Sequence, residues 1–169
     1  MNEFFAYDSV MDKYYKKMSN HVLPLLSWEF YGEHHKLIES FRDDFVALKK
    51  VTKNWSFNID YKQFIEEDSV IVVTNPKLKI VFASQNIQKM NGYLPEEVIG
   101  NSPKMFQGDE TCIKTSITVR KAIDSMLPFE VSILNYRKDQ TSYMCLIKGF
   151  PVHDKQGRLV NYIAFEKAA

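Results

Sequence analysis

The chain has 169 residues, 45% of them hydrophobic, and its 22 basic and 21 acidic side chains leave a net charge of +1. This composition suits one folded domain, or one domain with an accessory segment, and excludes a disordered chain. The charge balance gives no electrostatic reason to expect a nucleic-acid or membrane partner, and two cysteines indicate a reducing compartment rather than a disulfide framework.

No stretch of the sequence approaches the roughly 18 consecutive apolar residues that a membrane span requires. The start of the chain carries an acidic residue, Glu3, where a signal peptide would be basic. We therefore expect a cytoplasmic protein.

The first part of the chain carries two amphipathic helical patterns. Apolar side chains recur at spacings of three and four in residues 3–19 and again in residues 34–53, and a short helix is expected over residues 61–67. We predict a helical extension over residues 1–66 that packs on a core or pairs with a second copy of the chain. The predicted dimer interface consists of six apolar positions on the two stripes: Met11, Tyr14, Leu37, Phe41, Phe45 and Leu48.

From Ser69 onward the pattern is that of a small antiparallel sheet. Two strands joined by a turn at Asn75-Pro76 precede two short helices and one longer helix, and three further strands close the chain. The predicted strands are 70–74, 79–84, 129–135, 143–150 (ended by Pro151) and 159–165, and the predicted helices are 85–90, 95–99 and 110–126. The fold class is α+β, a five-stranded antiparallel sheet with short helices on one face and a ligand pocket between them.

Several motifs in this second part occur in an order and spacing that one family shares. They are Ile-Val-Phe-Ala-Ser at 80–84, Met-Asn-Gly-Tyr at 90–93, Glu-Glu-Val-Ile-Gly at 96–100, Phe-Gln-Gly-Asp-Glu-Thr at 106–111 and Asn-Tyr-Arg-Lys-Asp at 135–139. By these motifs the chain resembles a PAS domain of the light-oxygen-voltage (LOV) type, which implies the PAS fold. We predict a sensor domain over residues 67–169.

The resemblance also implies which residues line the pocket. In flavin-binding members a cysteine in the central stretch forms a light-driven adduct with flavin; here that position is Pro103, which has no nucleophile. Lys104 replaces an arginine that contacts the flavin phosphate, Cys145 replaces an asparagine, and Glu166 replaces a glutamine that switches its hydrogen bonds. The seven pocket positions implied by the resemblance are Ser102, Pro103, Lys104, Gln107, Asn135, Cys145 and Glu166.

These replacements affect whether the pocket can bind a flavin cofactor. An ionised Glu166 only accepts hydrogen bonds and Cys145 neither donates nor accepts well, whereas flavin's polar edge needs donors and acceptors. We therefore expect no cofactor, with flavin (FMN or FAD) as the disfavoured alternative. Two alternatives stay open for the side chain of Glu166. It is either a proton-linked switch inside the pocket or a carboxylate that turns to solvent.

The function predicted from the resemblance is that of a sensory or regulatory PAS signalling module that lacks LOV cysteinyl-flavin photochemistry. It would act through dimer or partner contacts, as a homodimer or with a signalling output protein or domain. One alternative is a blue-light photoreceptor working by non-covalent flavin reduction, and another is a ligand-free dimerisation scaffold. We expect neither an enzyme nor a metal site, because the sequence contains no catalytic constellation and the adjacent His34 and His35 lack the spacing of a metal pair.

Overall fold

The structure is a computed structural model, and it describes residues 43–56 and 69–169. The predicted helices over residues 3–19 and 61–67 lie outside these residues, as do Met11, Tyr14, Leu37 and Phe41. Within the described ranges, no helix is long and apolar enough to cross a membrane.

The centre of the fold is an antiparallel sheet of five strands, which confirms the predicted fold class. The strands follow one another across the sheet in the order β2-β1-β5-β4-β3. Their bounds are β1 Val70–Thr74, β2 Ile80–Ala83, β3 Phe129–Tyr136, β4 Ser142–His153 and β5 Leu159–Ala168.

The residue types of β1 and of the turn after it explain why the first hairpin forms. All five residues of β1 are buried, as expected for a β-branched run covered on both faces. Asn75 closes the turn to β2, because its side-chain Oδ1 accepts hydrogen bonds from the backbone N–H groups of Lys77 and Lys79 at 2.9 and 3.1 Å.

Helices cover both faces of the sheet. One face carries α1, a helix over residues 43–51 that continues into a 3-10 turn, Thr52–Asn54. The other face carries the remaining pieces: α2 Ile87–Asn91, α3 Pro95–Val98, the 3-10 turn Pro103–Phe106 and α4 Ile113–Asp124. Pro95 begins α3 as predicted, because its missing N–H needs no partner in a first helical turn.

Two hydrophobic clusters correspond to these two faces. The outer cluster, beneath α1, consists of Leu48, Trp55, Ile71, Val73, Phe82, Val152, Ile163 and Phe165. The inner cluster, beneath the short helices, consists of Val70, Val72, Ile80, Ala83, Ile87, Val98 and Phe106. Alternate residues of β1 and β5 therefore face opposite sides, as strand geometry requires.

The structure differs from the predicted dimer interface at Leu48. This side chain is 2% exposed and packs inside the outer cluster, so the chain's own sheet already covers it. Phe45, three residues earlier on α1, is 48% exposed.

The prediction that Pro151 ends the fourth strand is wrong. β4 runs through Pro151 to His153, and Pro151 lies opposite Tyr162 of β5. Pairing with β3 ends at Gly149, so Pro151 sits where β4 has β5 but no longer β3 as a strand partner. A proline is tolerated there because no ladder hydrogen bond toward β3 is lost.

Candidate functional site

A cavity of about 140 Å³ lies between the inner face of the sheet and the helices. The sheet supplies Val72, Thr74, Phe129, Ile133, Asn135, Ile147, Gly149, Tyr162, Ala164 and Glu166 to its wall. The 3-10 turn and α4 close the other side with Pro103, Phe106, Ser116, Val119, Arg120 and Ile123, among others. The lining is therefore mainly apolar, with a few polar groups directed into it, as is typical of small-molecule sites.

Six of the seven pocket positions predicted from the sequence line this cavity. They are Ser102, Pro103, Lys104, Gln107, Asn135 and Glu166. The seventh, Cys145, is buried on β4 but is not part of the wall. That these residues hold a cofactor stays a prediction.

Local sequence explains how the 3-10 turn reaches the cavity. Ser102 precedes the turn in an extended conformation, and its hydroxyl accepts a hydrogen bond from the Lys104 N–H at 3.4 Å. Pro103 opens the turn, and Phe106 anchors it in the inner cluster at 1% exposure. Because the turn is fixed at both ends, Pro103 and Gln107 are held at the cavity wall.

Glu166 is a buried carboxyl group on the cavity wall. Its side chain is 3% exposed, so the alternative in which it turns to solvent does not hold. Its neighbours across the sheet are Val70 and Ile147, and the Cys145 thiol donates a hydrogen bond to Oε2 at 3.9 Å. Burial raises the pKa of Glu166 to about 7, and the hydrogen bond from Cys145 opposes this rise. Near neutral pH the cavity therefore contains both the carboxylic acid and the carboxylate.

Cys145 is not poised as a nucleophile. Burial, together with the neighbouring Glu166 carboxylate, raises the pKa of the Cys145 thiol. A thiol that stays protonated at neutral pH attacks poorly, because the thiolate is the reactive form.

The structure adds two polar residues that the sequence analysis did not assign to the site. Thr74 lines the cavity from β1, and its hydroxyl is buried without a hydrogen-bond partner among the described residues. A buried hydroxyl left unpaired costs free energy, which a ligand acceptor or donor would recover. Arg120 lines the cavity from α4 and forms an exposed ion pair with Asp124 at 3.0 Å. The helical spacing of Ser116, Arg120 and Ile123 would have placed Arg120 on the cavity side.

The α4 wall is thinly packed. None of its residues is buried, and Ile113 and Ile117 are 75% and 49% exposed. The cavity is smaller than the roughly 300–1,000 Å³ of sites that bind drug-sized ligands. A flat polycyclic ligand therefore requires α4 to move outward, and little packing opposes that movement.

Comparison with known proteins identifies the family. The family model of the PAS domain matches residues 67–167. Protein TWIN LOV 1 of Arabidopsis thaliana is 39% identical over 98 residues, which cover 56% of this chain and 25% of the relative. The blue-light-activated histidine kinase of Brucella ovis is 31% identical over 97 residues, covering 56% of this chain and 20% of the relative. The chain thus spans a quarter or less of the length of these relatives.

Solved structures agree with these relatives. A LOV domain from a study of its mechanism with a flavin analogue shares 30% identity at a TM-score of 0.60, covering 64% of this chain and 82% of that one. The dark structure of the blue-light photoreceptor Aureochrome1 LOV shares 25% identity at a TM-score of 0.60, covering 68% and 86%.

The prediction that the chain has no cofactor is wrong. The Arabidopsis relative and both solved structures are named for LOV domains, and the Brucella kinase and Aureochrome1 are named for blue light. One of the structures was studied with a flavin analogue, and together these names point to a flavin rather than to no cofactor. The lining fits such a group in its chemistry, since it combines apolar walls with amide, hydroxyl and carboxyl groups. The chain belongs to the PAS domain family and is a sensory signalling module of the LOV type.

Proposed function

We propose that this chain is a blue-light sensory module that holds a flavin in the cavity by non-covalent contacts and responds to light through flavin reduction. The observation that carries the proposal is the cavity on the inner face of the sheet, which Gln107, Asn135 and Glu166 all line. The names of the relatives support it, since they include a blue-light-activated kinase and a blue-light photoreceptor.

The polar edge of a flavin ring carries both carbonyl acceptors and an N–H donor. The amides of Gln107 and Asn135 each donate and accept, so both match such an edge. Glu166 matches it in its protonated form, because a carboxylic acid presents one O–H donor and one C=O acceptor, as a glutamine amide presents N–H and C=O. Burial favours that form.

Two cations line the cavity on the helical side. Lys104 projects from the 3-10 turn and Arg120 from α4, and both side chains reach partly exposed positions. A flavin nucleotide carries a phosphate on its flexible tail, and cations at the mouth would bind that phosphate at modest desolvation cost.

The proposal of a non-covalent mechanism rests on where the thiols lie. The chain has two cysteines, Cys112 and Cys145, both among the described residues, and neither lines the cavity. Pro103 lines it at the position that the resemblance assigns to the reactive cysteine. The wall therefore offers a bound ring no thiol to attack it.

A bound flavin would supply absorption of blue light and, once excited, would accept an electron from a soluble thiol reductant, which is oxidised, and a proton from Glu166. The chain's part is to hold a proton on Glu166 at the cavity wall and to register a change in its hydrogen bonds. Glu166 and Phe165 are neighbours on β5 that face opposite sides of the sheet, and Phe165 packs in the outer cluster with Leu48 of α1. A shift of β5 at Glu166 would therefore change how α1 packs on the sheet.

The partners of the whole protein are part of the proposal as well. The two relatives are about four and five times as long as the stretch matched here, and one of them is named a histidine kinase. We propose that α1 and the residues before it pass the signal to a second copy of the chain or to an output partner.

The test is mass spectrometry of the intact, flavin-loaded protein under blue light. We expect the wild type to show no covalent flavin mass, and Pro103→Cys, which places a thiol at the wall, to gain a light-dependent adduct. Cys145→Ala serves as the control and should behave like the wild type. An adduct in the wild type that disappears in Cys145→Ala would contradict the non-covalent mechanism.

A further inference from the structure

A second depression, which we call the outer groove, adjoins the cavity. Its volume is about 290 Å³. The turn between β1 and β2 forms one side, the end of α4 forms the other, and Leu159 and Tyr162 of β5 form the floor. Four side chains line both the groove and the cavity: Leu78, Arg120, Ile123 and Tyr162. The two spaces therefore adjoin at Arg120, one of the cations proposed to bind the phosphate.

The backbone is unusual on both sides of the groove. Leu78 on the turn and Met126 after α4 have left-handed φ angles of 57° and 53°. Large side chains rarely adopt this region, and such residues concentrate where a ligand is clamped. The conformations project two apolar side chains toward one space, since both line the groove.

The chemistry of the lining suits a nucleoside attached to phosphate. Leu78, Met126 and Leu159 provide apolar surface, and Met126 is 50% exposed, so a flat base could stack there. Lys77 and Arg120 provide positive charge for bridging phosphates. The Asp124 carboxylate, which pairs with Arg120 at 3.0 Å, is an acceptor suited to ribose hydroxyl groups.

We infer that the outer groove binds the adenosine half of a flavin dinucleotide, so that the chain selects FAD over FMN. The inference rests on the proposed flavin site and adds to it the class of ligand. A mononucleotide ends at its phosphate beside Arg120, whereas a dinucleotide continues past Arg120 into the groove. The second nucleoside would cover the exposed Met126 and reach Lys77.

The first experiment titrates the flavin-free full chain with riboflavin, FMN and FAD, and detects binding by flavin fluorescence. The second identifies by chromatography the flavin that heat releases from the purified protein. We expect FAD to be released and to bind at least about tenfold more tightly than FMN. Met126→Glu places a negative charge in the groove and should lower the FAD affinity about tenfold while FMN binding is unchanged.

Leu127→Glu is the matched control, because Leu127 is 58% exposed, adjoins Met126 and is not part of the groove. It should leave both affinities unchanged, and unchanged FMN binding shows that each variant is folded. Equal affinity for FMN and FAD, or release of FMN alone, overturns the FAD inference and leaves the flavin site standing. Failure of the folded chain to bind any of the three flavins overturns the flavin site and this inference together.

Discussion

At the scale of single residues, Glu166 explains why the cofactor prediction failed. The argument against flavin treated this side chain as an ionised carboxylate that can only accept hydrogen bonds. The structure buries it to 3% exposure with no cation among the groups that raise or lower its pKa. Ionisation depends on burial, which strand alternation alone does not reveal, so the sequence could place Glu166 on the pocket face but not assign its protonation state.

Burial of Glu166 predicts that stability depends on pH. The folded-state pKa of about 7 lies above the ordinary value of 4.5, so the native state holds a proton that the unfolded chain has lost. Stability is then fully present below pH 4.5 and declines as pH rises to about 7, by on the order of 3 kcal/mol. We expect Glu166→Gln to remove this decline, measured by urea unfolding at steps from pH 4.5 to 8.

The comparison needs a control because a second carboxyl group contributes to the same trend. Burial is the main cause that raises the pKa of Asp44 to about 6, so the contribution of Asp44 to stability also falls as pH rises. Asp44 is unchanged in Glu166→Gln, so the difference between the two proteins isolates Glu166. Glu130→Gln, at an exposed position beside Lys148, should follow the wild-type curve. Parallel curves for the wild type and Glu166→Gln would show that Glu166 ionises normally.

Gly149 provides a second test at the residue scale. It lines the cavity, and a Cβ added there would lie 2.3 Å from the Phe129 ring, so the ring must move. We expect Gly149→Ala to weaken flavin binding by about tenfold or more, because Phe129 also forms the cavity wall. The measurement is the flavin titration described above.

Gly108→Ala is the matched control, since its Cβ would meet the Tyr136 ring at 2.6 Å outside the cavity. It should destabilise the fold without a selective loss of flavin. Equal flavin affinity in Gly149→Ala and the wild type would mean that the ring of Phe129 does not shape the site.

At the scale of elements, local patterns predicted most of the described fold. The β-branched run of Val70–Thr74, the Asn75 turn and the helix start at Pro95 all appear where the sequence indicates. Pro151 was misread because its effect depends on whether a strand lies beside it, and pairing is a property of the sheet. Leu48 was misread for a similar reason, since an apolar stripe does not say which surface covers it.

The packing of α1 on the sheet gives a prediction at this scale. Leu48 is 2% exposed within the outer cluster, so Leu48→Ala should lower the free energy of unfolding by about 2–5 kcal/mol. Val46→Ala, at a position that is 50% exposed, should cost less than about 0.5 kcal/mol. Urea unfolding of both variants is the measurement, and equal losses would show that α1 is not anchored through Leu48.

At the scale of the whole molecule, the site is assembled from elements far apart in the chain. Gln107 follows the 3-10 turn, Arg120 lies on α4, and Asn135 and Glu166 lie on two strands. The motif resemblance predicted Gln107, Asn135 and Glu166 as site residues. Arg120 and Thr74 were assigned to the site only because the structure shows that they line the same cavity. The same β5 that carries Glu166 into the cavity carries Phe165 into the outer cluster, so one strand joins the sensing face to α1.

The most direct test of this account is the absorption spectrum of the full chain, purified after expression with flavin supplied and recorded before and after blue light in the presence of a soluble thiol reductant. The account predicts a structured flavin spectrum that light bleaches through reduction, in the wild type and in Cys145→Ala alike. A folded protein with no flavin absorption, or a bound flavin that blue light leaves unchanged, would contradict it.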